Sequence, residues 1–292
     1  MKLLTVRHVT TYRYRQPVSF GEHRMMLRPR DSYDQRLIEA RLVITPEPAA
    51  LNWMHDAFGN CVAIARFSGR SAELKFDSTI HLDHEPNNAL EFALDDYALD
   101  YPFSYSAEEI PDLSRAIERQ YLDPNRDVDR WAHQFLRKQG PTGTRDLLAA
   151  MTHAIHERFT YVSRSEMGTQ DPAVTLRLGS GTCRDFALLM MEAVRSLGLA
   201  ARFVSGYLYD ETLVDAPRAM IGGGATHAWA QVYLPGTGWT EFDPTNAQAG
   251  GRNLIRVAVT RDPAQAIPLS GTYVGTADDF RDMTVEVTVA AG

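Results

Sequence analysis

Hydrophobic and polar positions along this 292-residue chain change period as it proceeds. In the first ninety residues they alternate. In "AELKFDSTIHL", Leu74, Phe76, Ser78, Ile80 and Leu82 fall on one side, and Glu73, Lys75, Asp77, Thr79 and His81 on the other. That is the period of a half-buried strand. "LTVRHVTTYRY", "RLIEARLVITP" and "NCVAIARFSG" are also rich in β-branched and aromatic residues and are set off by turn residues. Together they predict an antiparallel, β-rich N-terminal domain over residues 1–95.

A proline-punctuated connector over 96–111 follows, and the period then lengthens to that of a helix. "DLSRAIERQYL" predicts a short helix stopped by Pro124, and "DVDRWAHQFLRKQG" a second ending at Gly140. "TRDLLAAMTHAIHERFTY" predicts a third, with Thr144 as N-cap and Leu148, Met151, Ile155 and Phe159 on one face. A fourth runs from Cys183 to about Leu197, with Gly198 as its stop. Strands come next: "ARFVSGYLY", then "THAWAQVYL" and "GWTEFDPT" as a hairpin around "PGTG". Helices preceding strands predict an α+β domain over 112–250. "NLIRVAVTRD" and "MTVEVTVAAG", within 251–292, predict C-terminal strands packing on either domain.

A 44% hydrophobic and 23% charged composition is that of a globular chain with a sizeable core. The net charge of −7 speaks against a nucleic-acid partner, which needs a basic stripe. The local basic run "RMMLRPR" (Arg24 to Arg30) fits a solvated strand edge. The apolar Leu3–Val6 stretch is too short for a signal peptide, and no window is long and apolar enough for a membrane helix. The expectation is a cytoplasmic protein with no membrane association and with Cys61 and Cys183 as free thiols. Two distant cysteines offer no zinc motif, "HAIHE" reverses the zincin order, and "HLDHE", short of the connector, is expected to be solvent-exposed rather than a metal site. No calcium loop is visible, so no metal or cofactor is expected.

The chemistry concentrates in three places. Cys183 follows the small residues Gly179 to Thr182 and opens an apolar helix. Unpaired backbone N–H groups and the macrodipole at a helix N-terminus favour a thiolate and can also hold an oxyanion. A thiolate nucleophile needs a base, and the base an orienting group. His227 opens a strand, and Asp243 lies sixteen residues later on the returning one. A three-residue loop pairing Leu234 with Gly238 sets His227 opposite Thr245 and makes Asp243 its diagonal neighbour on the same face. A four-residue loop puts Asp243 on the other face unless a bulge intervenes.

The stretches "RFTYVSRSEMGTQDPAVTL", "GSGTCRDFALLMMEAVRSLGLAARFVSGYL" and "ATHAWAQVYLPGTGWTEFDPTN" resemble the transglutaminase-like superfamily of papain-like Cys-His-Asp enzymes. Residues 1–90 resemble the N-terminal region of its bacterial members. The resemblance implies a papain-like catalytic domain with Cys183 as nucleophile, His227 as base and acid, and Asp243 as orienting residue. It also implies a thioester intermediate formed from a peptide or protein amide. Hydrolysis, as by a cysteine protease or amidase, is the leading expectation. Acyl transfer to an amine and a non-catalytic scaffold are the alternatives. Gln170 is the first candidate for a second oxyanion donor, because an amide donates without ionising. Tyr161 and Trp229 are candidates for the substrate cleft, and residues 215–226 for a mobile flap over it.

Overall fold

A computed structural model describes residues 2–85, 93–163, 168–209 and 224–292. The chain begins with strands β1 (Lys2–Met25), β2 (Gln35–Thr45), β3 (Ala50–His55), β4 (Cys61–Arg66) and β5 (Arg70–His84). Next come β6 (Asp100–Tyr101), helices α1 (Ile110–Ile117) and α2 (Asp127–His133), β7 (Thr142–Gly143), α3 (Thr144–Arg158), β8 (Thr160–Tyr161), α4 (Pro172–Leu178) and β9 (Ser180–Gly181). The remainder is α5 (Cys183–Ser196), β10 (Ala201–Leu208), β11 (Thr226–Leu234), β12 (Gly238–Asp243), β13 (Gln248–Ala249), β14 (Leu254–Thr260), β15 (Leu269–Val274) and β16 (Phe280–Ala291). The fold is α+β with a β-rich N-terminus.

β1 organises the first sheet, whose order is β2-β5-β1-β4-β3. One edge of β1 pairs with β5, from Lys2–His84 to Arg13–Glu73. Its other edge takes β16, from Leu4–Ala291 to Tyr14–Phe280, and then β15. The chain's last two strands therefore complete its first sheet, while β14 joins the second. Alternation in β5 is kept: Leu74, Phe76, Ser78, Ile80 and Leu82 are buried. Each large apolar side chain so buried contributes about 1.5–3 kcal/mol.

The second sheet has the order β13-β12-β11-β10-β14. α5 lies against it and is buried from Phe186 to Arg195, as a helix apolar on nearly every side must be. Its one internal ion pair, Arg195 Nη1 to Glu192 Oε1 at 2.9 Å, is also buried. Glu192 accepts from the backbone N–H groups of Gln120 (3.2 Å) and Tyr121 (3.4 Å). This explains why α1 stops at Ile117 rather than continuing to Leu122: Glu118 turns extended and the next N–H groups go to Glu192. α2 likewise ends before Gly140, tightening into i−3 bonds from Gln134, Phe135 and Leu136. Thr144 is the first helical residue of α3 and Gly143 its N-cap; the Thr144 hydroxyl donates to Ala98 O at 2.7 Å.

The two sheets meet through Leu4, Val6, Ile80 and Leu82 on one side and Tyr207, Ile255 and Val257 on the other. β14 is the outer strand of its sheet, and two side-chain amides of the N-terminal unit close its free edge. Gln35 exchanges hydrogen bonds with the Arg256 backbone (2.8 and 2.9 Å). Asn60 does the same with the Val259 backbone (2.9 and 2.8 Å). Backbone groups that would otherwise be an exposed pairing template are thus satisfied.

Candidate active site

Cys183 is the first residue of α5 and is 6% exposed. The turn before it is held by a capping box. The Thr182 side chain accepts from the Asp185 N–H, and Thr182 N–H donates to Asp185 Oδ2 at 2.8 Å. Asp185 is fully buried and also accepts from Gln170 N at 2.7 Å and from the Thr182 hydroxyl at 2.9 Å. Gly181 allows this approach: a Cβ there would stand 2.8 Å from the Asp185 Cβ. The parallel pair β8–β9 sets Tyr161 beside Gly181.

The hairpin adopts the three-residue loop: Leu234 pairs with Gly238 and Ala230 with Phe242. Asp243 then reaches the imidazole, and His227 Nε2 donates to Asp243 Oδ2 at 2.8 Å with both side chains buried. A carboxylate partner fixes the proton on Nε2, which leaves Nδ1 for another group. Nδ1 makes no hydrogen bond of ordinary geometry, and the group beside the ring is Cys183. Burial opposes the imidazolium, but Asp243 and then Cys183 outweigh it and raise His227 to about 10. Burial would push Asp243 up. His227, with hydrogen bonds from Asn246 Nδ2 (2.8 Å) and the Thr245 N–H (2.9 Å), instead holds it below its ordinary value. Cys183, His227 and Asp243 are thus brought together.

The other predicted site residues fare differently. Gln170 is not free to serve an oxyanion: its Nε2 donates to Ser180 O and to Asp185 Oδ2, each at 3.2 Å. Its place is under the turn that presents Cys183. Trp229 does not wall an open cleft. It is fully buried, its ring stacks on His227 at 6.0 Å, and its Nε1 donates to Glu241 Oε2 at 3.1 Å. Gly206 makes room for it, since a Cβ there would come within 2.8 Å of the indole and 2.0 Å of Ile255 O. Tyr161 is half-buried and packs edge-on to Phe186. Burial, with the charges of Cys183 and Asp185, pushes its hydroxyl up to about 12, so it stays a donor near the sulfur. The candidate flap falls largely on residues 210–223, which lie outside the described residues.

Three supporting residues were not anticipated. Glu241 anchors Trp229, and His156 Nδ1 donates to Thr245 O at 2.8 Å, steadying the turn after Asp243. Asp185 is the third, and its signal was available as the Thr-x-x-acid pattern of a capping box. Among the described residues no group of three or more His, Cys, Asp or Glu is arranged to hold a metal ion. No helix there is long and apolar enough to cross a membrane.

With the fold and these side chains in place, the chain belongs to the transglutaminase-like superfamily, in its bacterial form with a dedicated N-terminal region. Residues 4–83 match the bacterial transglutaminase-like N-terminal region and residues 129–244 the transglutaminase-like superfamily core. Among its relatives is the "Uncharacterized protein Rv2569c" of Mycobacterium tuberculosis, 31% identical across 98% of this chain and 93% of that one. A "Protein-glutamine gamma-glutamyltransferase" of Pseudomonas aeruginosa is 31% identical over 34% of this chain and 15% of its own length. Among solved structures, a putative cysteine protease from Cytophaga hutchinsonii superposes with a TM-score of 0.73 at 18% identity, covering 99% of this chain and 90% of that one.

Proposed function

We propose that this chain is a cysteine-dependent enzyme that opens amide or isopeptide bonds of a peptide or protein through a thioester on Cys183. The observation that carries this is the buried 2.8 Å bond from His227 Nε2 to Asp243, which leaves Nδ1 unengaged beside Cys183. His227 takes the thiol proton, and the sulfur attacks the substrate carbonyl carbon. The oxyanion meets the backbone N–H of Cys183 at the start of α5, where the helix dipole favours negative charge. His227 returns the proton to the leaving amine as the C–N bond breaks. Water, deprotonated by the same imidazole, then releases the acid. Tyr161, still protonated and near enough to feel the Cys183 charge, is a candidate side-chain donor to the oxyanion.

Alkylation by iodoacetamide, followed residue by residue with mass spectrometry, tests the nucleophile. Cys183 is expected to react at neutral pH in wild type and slowly in His227→Ala, with Cys61→Ala as control. A Cys183 that reacts no faster than a model thiol in both proteins would leave the non-catalytic scaffold as the better description. Amide turnover is expected to vanish in Cys183→Ala and to fall by about 10²–10⁴ in His227→Ala.

Acyl transfer is the second reading, supported by the name of the Pseudomonas relative. The two differ in what resolves the thioester. Supplying a fluorescent primary amine separates them: incorporation into a glutamine-bearing protein marks transfer, and free acid without incorporation marks hydrolysis.

A further inference from the structure

We infer that the junction between the N-terminal sheet and the β11–β12 hairpin is a binding site for a peptide carboxylate, gripped by Arg202 and Arg30. A cavity of about 420 Å³ opens there, lined by Arg30, Tyr33, Phe58, Arg202, Gln231 and Trp239 among others. Arg202 sits over Trp239, with its guanidinium carbon 4.1 Å from the ring centroid, and spends its Nε on Gln231 Oε1 at 2.6 Å. Neither partner carries a negative charge.

The carboxylates nearby are already committed. Glu241 accepts from Gln231 (2.7 Å), Arg256 (2.9 Å) and Trp229. Asp34 accepts from both terminal nitrogens of Arg256, at 2.6 and 2.8 Å, and from the Ser32 hydroxyl. Asp31 Oδ1 accepts from the Leu37 N–H. Among the described residues, Arg202, Arg30 and Arg28 have no acidic partner within ion-pair distance. Burial, with the neighbouring Arg256 and Arg30 charges, pulls Arg202 down to about 10 despite Glu241.

A guanidinium this enclosed is costly unless an anion completes it, and a planar fork matches the two oxygens of a carboxylate. In a chain of net charge −7, this local surplus of arginine is selective. It also accounts for the basic run Arg24–Arg30, whose Arg28 and Arg30 line an adjoining cavity of about 670 Å³ with Trp53 and Met54. A neighbouring cavity of about 740 Å³ shares Phe58, Arg202 and Trp239 but is edged by Glu108, Glu109 and Asp112. Those acids confine the ligand's negative group to the Arg30–Arg202 side. Apolar and aromatic surface on both sides gives flanking peptide residues somewhere to rest. The occupant is therefore an acidic peptide, bound through a side-chain or C-terminal carboxylate.

The site stands apart from the chemistry at Cys183, so binding is measured on Cys183→Ala protein and does not depend on turnover. Titration calorimetry would use three hexapeptides of otherwise equal sequence: one capped at both ends with two glutamates, one capped with glutamines, and the glutamine peptide with a free C-terminus. Binding of the first or third, and not of the second, is expected, and which of them binds identifies the source of the carboxylate. Arg202→Gln should weaken binding at least about tenfold, the loss of a charge-assisted fork. Arg30→Ala, a change at an exposed residue that leaves the core intact, should weaken it several-fold and flatten its salt dependence. Circular dichroism checks that both variants fold. Equal binding of the capped glutamine peptide, no binding of any peptide at millimolar concentration, or a dissociation constant unmoved by Arg30→Ala would overturn the assignment.

Discussion

His227, its own side chain fully buried, holds its second proton between two groups that can be anionic, Asp243 and Cys183. Its folded value, raised from 6.5 to about 10, fixes the sign of its effect on stability. The imidazolium adds stability that is complete below about 6.5 and is lost as pH rises through about 10. Asp243 works the other way: its stabilisation is present above its ordinary 3.8 and disappears as pH falls through its lower folded value. Asp243→Asn removes the charge that overrides burial. Proton titration by NMR should show His227 falling, and Cys183 should alkylate more slowly at neutral pH. Thermal melts between pH 6 and 10 should flatten in the variant; a wild-type slope retained in Asp243→Asn would contradict the coupling. Cys183, His227 and Asp243 were legible as candidates from helix polarity and, for an odd hairpin loop, strand alternation; their roles came from the family resemblance. Glu241 and His156 carry no such mark of function, and Asp185 shows only as the acidic end of a capping-box pattern. Their importance comes from the groups they satisfy, which only the folded arrangement reveals.

At the scale of elements, the start of α5 is the sensitive joint. Asp185 ties together the N–H groups of Gln170 and Thr182 and so sets where Cys183 points. Asp185→Ala leaves these donors without their acceptor and should cost about 2–4 kcal/mol in urea unfolding. It should also slow Cys183 alkylation; normal reactivity in a destabilised variant would mean the turn keeps its shape without the cap. α5 and the hairpin were readable because each has a period and a punctuated end. α4 was missed although Asp171, Pro172 and Gly179 frame it as N-cap, first-turn proline and left-handed C-cap. It spans only seven residues, too few for a period to stand out. The overextended α1 and α2 have another cause. Their sequences favour helix locally, but a buried carboxylate on α5 claims the backbone N–H groups beyond α1, and i−3 bonding tightens the end of α2.

Across the whole molecule, the two sheets depend on each other. Asn60→Ala removes both partners of the Val259 backbone and should cost about 1–3 kcal/mol, read as a lower urea midpoint with an unchanged slope. An unchanged midpoint would mean that water replaces the amide at no loss. The junction was not visible beforehand because pairing between segments so far apart in sequence leaves no local pattern. For the same reason β14 and β16 read only as strands, without a sheet to belong to, and β15 was not read as a strand.

The pairing of β16 with β1 bears on how the chain is made. β1 leaves the ribosome long before β16. At roughly 5–20 residues per second, the interval between them is on the order of tens of seconds. For that time one side of a 24-residue strand waits without its final neighbour. Completion of the first sheet must therefore await synthesis of β16, so a chain truncated before Phe280 would keep every residue of the proposed triad yet carry an open, adhesive margin along β1.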